Sequence, residues 1–116
     1  MKRLLAAGLF LAAPALADIA PLDAWRPFAV ALEARAMHEE CLRIETGVQR
    51  RYHWKSDVPV DFNIHYHQMT EVFYPVKRGG MRGDGGTFAA KTSEDYCWTW
   101  TARDKPAKIE GRIELK

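Results

Sequence analysis

The chain predicts an all-β fold, an antiparallel β-sandwich of seven or eight short strands held by one disulfide. Three observations carry this. Apolar and polar residues alternate with a period of two in several stretches, the pattern of a strand with one buried and one wet side. Turn-forming residues punctuate those stretches roughly every 8 to 12 positions, as in sandwiches. Two cysteines, Cys41 and Cys97, fall within the alternating segments.

Phe28, Val30 and Leu32 alternate with Ala29, Ala31 and Glu33. This is a strand pattern, although Ala, Leu, Glu and Arg nearby also suit a helix. Cys41 to Ile44 is a short strand before Gly47. Val48 to Lys55 alternates with a wholly polar side, and Ser56-Asp57-Val58-Pro59 has the composition of a turn. Val60, Phe62, Ile64 and Tyr66 then alternate with Asp61, Asn63, His65 and His67, the clearest strand in the chain. Glu71 to Val76 is a strand whose Pro75 argues for an edge or an end. Lys77 to Gly86, with Gly79, Gly80, Gly83, Gly85 and Gly86, is expected as a long mobile hairpin loop. Thr87 to Ala90 is a short strand. Tyr96, Trp98 and Trp100 share one side of the next, and Ile109, Ile113 and Leu115 one side of the last. The aromatic residues alternate, so filling a core is favoured over forming a ligand platform.

The first residues resemble an export signal: Lys2 and Arg3, an apolar run from Leu4 to Ala13, and a small-residue pattern at Ala15-Leu16-Ala17. The expected division is therefore a signal peptide over 1–17, a flexible lead-in over 18–27 and one sandwich domain over 28–116. The apolar run is short of the roughly 20 residues a membrane span needs, and no transmembrane anchor is expected. Removing Lys2 and Arg3 from the 17 basic residues leaves 15 against 15 acidic ones. A neutral mature chain gives no reason to expect nucleic acid as a partner. A soluble periplasmic protein is the expected product. In that oxidising compartment a bridge between Cys41 and Cys97 is favoured over a metal or redox thiol pair, for which a CxxC spacing is missing.

With these segments placed, the chain resembles a GOLD (Golgi dynamics) domain in a soluble, exported, bacterial version. The resemblance rests on Cys41 opening a strand before Gly47, a strand ending near Trp54, the Val60–Tyr66 strand, Tyr74-Pro75-Val76, Phe88, and above all Asp95-Tyr96-Cys97-Trp98-Thr99-Trp100. It implies a GOLD-like β-sandwich, a paired Cys41 and Cys97, and binding or adaptor work, with an unidentified periplasmic protein or small ligand as partner. The coiled coil, transmembrane helix and cytosolic tail of the family's cargo receptors are not found, so a trafficking role does not carry over.

His65 and His67 lie two apart on a strand, with rings on one side about 6.5 to 7 Å apart. Two such imidazoles can share copper or zinc, given further ligands. His53 is the third candidate, on the expectation that Val48–Lys55 and Val60–His67 form a hairpin. Met69, His38 or Asp61 would complete the set. A hydrated sheet face carrying no ligand is the competing reading. Asp61, Asn63, Arg78 and Arg82 are candidates for a binding surface, the arginines for an acidic partner. Catalysis has little support. Ser56 and Ser93 sit in turns, Glu39 and Glu40 point apart, and the Gly-rich segment lacks the Gly-Lys-Ser/Thr of a phosphate loop. A binding module is expected, not an enzyme.

Overall fold

A computed structural model describes residues 24–116. The expected signal peptide and the start of the lead-in lie outside the described residues. Six strands follow in chain order: β1 (Trp25–Leu32), β2 (Met37–Ile44), β3 (Gln49–Gln68), β4 (Glu71–Ala89), β5 (Glu94–Ala102) and β6 (Ala107–Glu114). They form one curled antiparallel sheet in the order β1-β6-β3-β5-β2, with β4 on the other side of β3. The lead-in is shorter than expected, because Trp25, Arg26 and Pro27 pair with Glu114, Ile113 and Arg112. Pro27 is tolerated there because β1 is an edge strand.

One continuous sheet of six strands replaces the expected sandwich of seven or eight, and the reason is local. Ser56 to Pro59 does use turn chemistry: the Ser56 hydroxyl donates to the Val58 carbonyl at 2.7 Å, and Asp57 accepts from the Lys108 amide at 2.8 Å. These residues bend the strand instead of reversing it. The register against β4 jumps from Lys55 to Val60, and β3 continues. The Gly-rich segment is likewise not a mobile loop. Gly83, Gly85 and Gly86 pair with Lys55, His53 and Tyr52, inside the 19 residues of β4. Glycine's entropy argues for a loop, but β3 pairs with this backbone along one edge and holds it as a strand.

The bend in β3 lies level with three other interruptions: the β1–β2 turn at 33–36, the β5–β6 connection at 103–106, and the stretch of β4 around Gly80 to Gly83. Along this crease the sheet doubles over on itself. One half holds β1, β6, the start of β3 and the end of β4; the other holds β2, β5, the end of β3 and the start of β4. Their inner faces meet through aromatic rings. Trp54 lies 5.2 Å from Phe62 and 6.2 Å from Trp100, and Tyr52 5.8 Å from Phe62, centroid to centroid. Trp54, Trp98, Trp100, Phe62 and Tyr96 are almost wholly buried. Phe62 and Tyr66 meet the β5 aromatics, at 5.5 Å to Trp100 and 5.2 Å to Tyr96. The indole N–H groups of Trp54, Trp98 and Trp100 have no hydrogen-bond partner among the described residues. Each unsatisfied donor costs about 1–3 kcal/mol. Edge-to-face packing, worth about 0.5–1.5 kcal/mol per pair beyond area burial, offsets part of that.

One long side of the folded sheet is closed. Arg26 donates to the Cys41 carbonyl at 3.1 Å and pairs with Glu40 at 3.3 Å, while Phe28 stacks on His38 at 5.9 Å. The disulfide joins directly opposed residues of β2 and β5 on the outer face. With a sequence separation of 56 between the cysteines, the chain-entropy model gives it about 4 kcal/mol.

Two residues hold the crease. Gly111 faces Trp54 so closely that a Cβ there would overlap the His53 carbonyl and lie 2.8 Å from the Trp54 Cα. Asp61 accepts from the Arg103 guanidinium at 2.8 and 3.0 Å and from the Gly80 amide at 3.0 Å. It thereby ties β3, β4 and the β5–β6 connection together. Partial burial raises its pKa, but Arg103 and the Gly80 N–H outweigh this and hold the carboxyl below its ordinary value.

Gly111→Ala is expected to destabilise the protein by about 1–3 kcal/mol through overpacking, read as a lowered midpoint in urea unfolding. Because the folded pKa of Asp61 is depressed, its contribution is present above the unfolded value near 4 and lost as pH falls through the folded one. Stability should thus fall on acidification below about pH 4. Asp61→Asn should cost about 0.5–1 kcal/mol at pH 7, the pair being half exposed, and should make the acid branch shallower. A pH series of denaturant midpoints for both proteins reads this out.

Candidate functional site

The side opposite the closed seam is open, and β4 is its rim. Because β4 pairs only with β3, its two ends face each other across a gap. The cleft between them, about 460 Å³, is lined by Tyr52, Tyr66, Phe73, Val76, Phe88 and Tyr96, with Lys91 and Thr92 at one end. The burial of Tyr52, with the nearby Asp84 carboxylate, pushes its phenol pKa up, so it presents a neutral hydroxyl. Tyr96 donates to the Thr92 carbonyl at 2.6 Å. A larger concavity of about 680 Å³ sits at Ala29–Ala31 and Ile109, where Lys55 pairs with Glu110 at 3.1 Å and Asp57 accepts from the Lys108 backbone amide at 2.8 Å.

The cleft continues into an exposed apolar tip. Gln68 and Glu71 pair across the two-residue Met69-Thr70 turn, where Met69 holds φ at +56° and is fully exposed. An L side chain rarely keeps this conformation. Four of the five large apolar side chains exposed among the described residues are here: Met69, Val72, Phe73 and Tyr74. Scattered apolar exposure is normal, whereas a cluster marks an interaction surface. A bulge at Tyr74-Pro75 turns Phe73 inward, stacked at 5.2 Å on Tyr66, and Tyr74 outward, with its ring 5.7 Å from His65. Lys77, Arg78 and Arg82 follow along the rim without an ion pair among the described residues; Lys77 caps the Tyr74 ring at 4.9 Å.

Of the predicted ligand set only His65 and His67 come together. His53 does not face His65 and His67 across a hairpin. It lies twelve positions earlier on the same strand, beyond the bend and on the other half, opposite Gly85 and Arg112. His38 is inside the closed seam, 2.7 Å from Glu40. Asp61 is engaged by Arg103, and Met69 stands at the hairpin tip. His65 and His67 do meet, with ring centroids 5.1 Å apart. Around His65 lies a network without any signature in the sequence: its Nδ1 is 2.7 Å from Asn63 Oδ1 and 3.4 Å from Thr99 Oγ1, Thr99 donates to Glu39 at 3.1 Å, and Glu39 Oε2 is 3.6 Å from His65 Nε2. Burial lowers the His65 pKa; Glu39 opposes this and His67 reinforces it. The register that aligns Glu39 with Thr99 and Thr99 with Asn63 creates this cluster. The alternation of Glu39 with Cys41, given the bridge, was the one available hint.

No helix among the described residues is long and apolar enough to cross a membrane. No protein-family model and no curated protein matches the chain, so the GOLD resemblance rests on its quoted residues alone. Among solved structures the chain is similar to PliG of Aeromonas hydrophila, a periplasmic lysozyme inhibitor of g-type lysozyme. The TM-score is 0.59 at 10% identity, over 79% of this chain and 86% of that one. A de novo designed double-stranded β-helix overlaps with a TM-score of 0.41 at 19% identity, over 77% and 96%. At 10% identity the likeness to PliG is one of fold.

Proposed function

We propose that the chain is an exported, periplasmic protein-binding module that grips its partner with the open β4 side of the folded sheet. The observation that carries this reading is the aromatic cleft continuing into the exposed tip at Met69, Val72, Phe73 and Tyr74. Aromatic and Met side chains of this kind are the anchors of protein interfaces. The free backbone edge of β4 adds a row of hydrogen-bonding groups for an extended segment. Lys77, Arg78 and Arg82 suit a partner with an acidic margin. The GOLD resemblance points to binding as well. The fold shared with a periplasmic lysozyme inhibitor supports the same compartment and makes an inhibitor of a cell-wall hydrolase the first specific role to test.

Replacing Tyr74 by p-benzoylphenylalanine and irradiating intact cells should give a discrete protein adduct, while the same residue at Lys108 should not. Equal adducts at both positions, or none at Tyr74, would overturn the reading. In the specific form, the purified protein should slow a g-type lysozyme, and Phe73→Ser or Tyr74→Ser should weaken that at least tenfold. Met69→Gly should raise stability by about 0.5–1 kcal/mol by relieving the left-handed backbone, seen in urea midpoints, yet weaken partner binding by removing an apolar contact.

A further inference from the structure

The geometry points to a divalent zinc or copper site on the outer face, built from His65, His67 and Glu39. The hydrogen-bond network assigns the ring protons. The Glu39 carboxylate only accepts, so the single Thr99 hydroxyl proton is spent on it at 3.1 Å. Thr99 can then only accept from His65 Nδ1, and Asn63 Oδ1, at 2.7 Å, accepts as well. The proton of the neutral ring therefore sits on Nδ1, and the Nε2 lone pair faces Glu39 Oε2 at 3.6 Å. Two acceptors opposed across that distance, on a side chain 7% exposed, leave a place that a cation fills. A metal-bound histidine held through its other ring nitrogen by an amide or carbonyl oxygen is the usual orienting arrangement.

His67 is the third ligand. It is exposed and its ring is 5.1 Å from that of His65; its nitrogens do not stand within ligand distance of both partners, so the His67 side chain must turn toward the Nε2–carboxylate gap when the ion binds. Two imidazoles and a carboxylate with an open position suit Zn(II) or Cu(II) and not calcium or magnesium, which take oxygen ligands. The nearby sulfurs of Cys41 and Cys97 are bonded to each other and are not thiolate ligands. This site differs from the predicted one by replacing His53, on the other half of the sheet, with Glu39 from β2. It does not depend on a protein partner.

Calorimetric titration of the purified, disulfide-intact protein with ZnCl2 and CuSO4, in a non-chelating buffer, tests this. Saturable binding of one ion is expected, at least tenfold weaker in Glu39→Gln and in His67→Ala, weaker by about 10–100-fold in Asn63→Leu, and unchanged in His53→Ala. Ring nitrogen shifts in ¹⁵N NMR should show the metal on His65 Nε2 with Nδ1 protonated. No binding, binding untouched by Glu39→Gln, or an Nε2-protonated neutral ring in the metal-free protein would overturn the site. Thermal unfolding of each variant separates loss of ligand from loss of fold.

Discussion

Everything in this structure depends on four chain interruptions falling at one level. A flat antiparallel sheet of this composition would leave one face of Trp54, Phe62, Trp98 and Trp100 in water. Since the β1–β2 turn, the Ser56–Pro59 bend, the Gly80–Gly83 stretch and the β5–β6 connection coincide, the sheet can fold in half and bury that face against itself. Asp61 is the polar counterpart, tying three of the four interruptions through one carboxylate. Gly111 is the steric one, letting β6 approach Trp54 where any side chain would hold it off.

Much of the fold was legible because alternation is a local property. The inner faces of β3, β5 and β6 follow directly from Val60–Tyr66, Tyr96–Trp100 and Ile109–Leu115, and the pairing of Cys41 with Cys97 from the compartment and the cysteine count. What misled was punctuation. Ser56-Asp57-Val58-Pro59 has the same side-chain chemistry whether it reverses a chain or bends a continuing strand; only the partner strands decide. Five glycines in ten residues read as a loop for the same reason, since the β3 backbone that makes them a strand is remote in sequence. Counting each punctuated segment separately turned six strands, two of them long, into seven or eight short ones.

The candidate sites were legible in part. The His65–His67 pair and its outward face came from the strand period, but the supposed third histidine required a hairpin that the chain does not make. Glu39 and Thr99 joined His65 through cross-strand register, which periodicity cannot supply. The aromatic cleft was hidden differently. Tyr66 and Tyr96 were assigned to a core, and they do lie against it. Their second role, lining an opening, exists only because the two ends of β4 do not touch.

That asymmetry between the two long sides is the functional argument. On the β1 and β2 side, Arg26, Glu40, Phe28 and His38 seal the fold with ion pairs and ring stacking. On the β4 side Phe88 packs across the fold on Tyr96 at 4.8 Å and on Trp98 at 5.7 Å, but no ion pair among the described residues joins the two ends of β4. A long unpaired edge is a hazard that proteins usually blunt with charge, proline or bulges, and β4 has Lys77, Arg78, Arg82, Pro75 and a bulge. Yet the protection stops short of the tip, where Met69, Val72, Phe73 and Tyr74 stay exposed on a turn with Met69 in a disfavoured backbone conformation. An edge guarded along most of its length, and left apolar and strained at one end, is better explained by a surface kept for a partner than by an unfinished core.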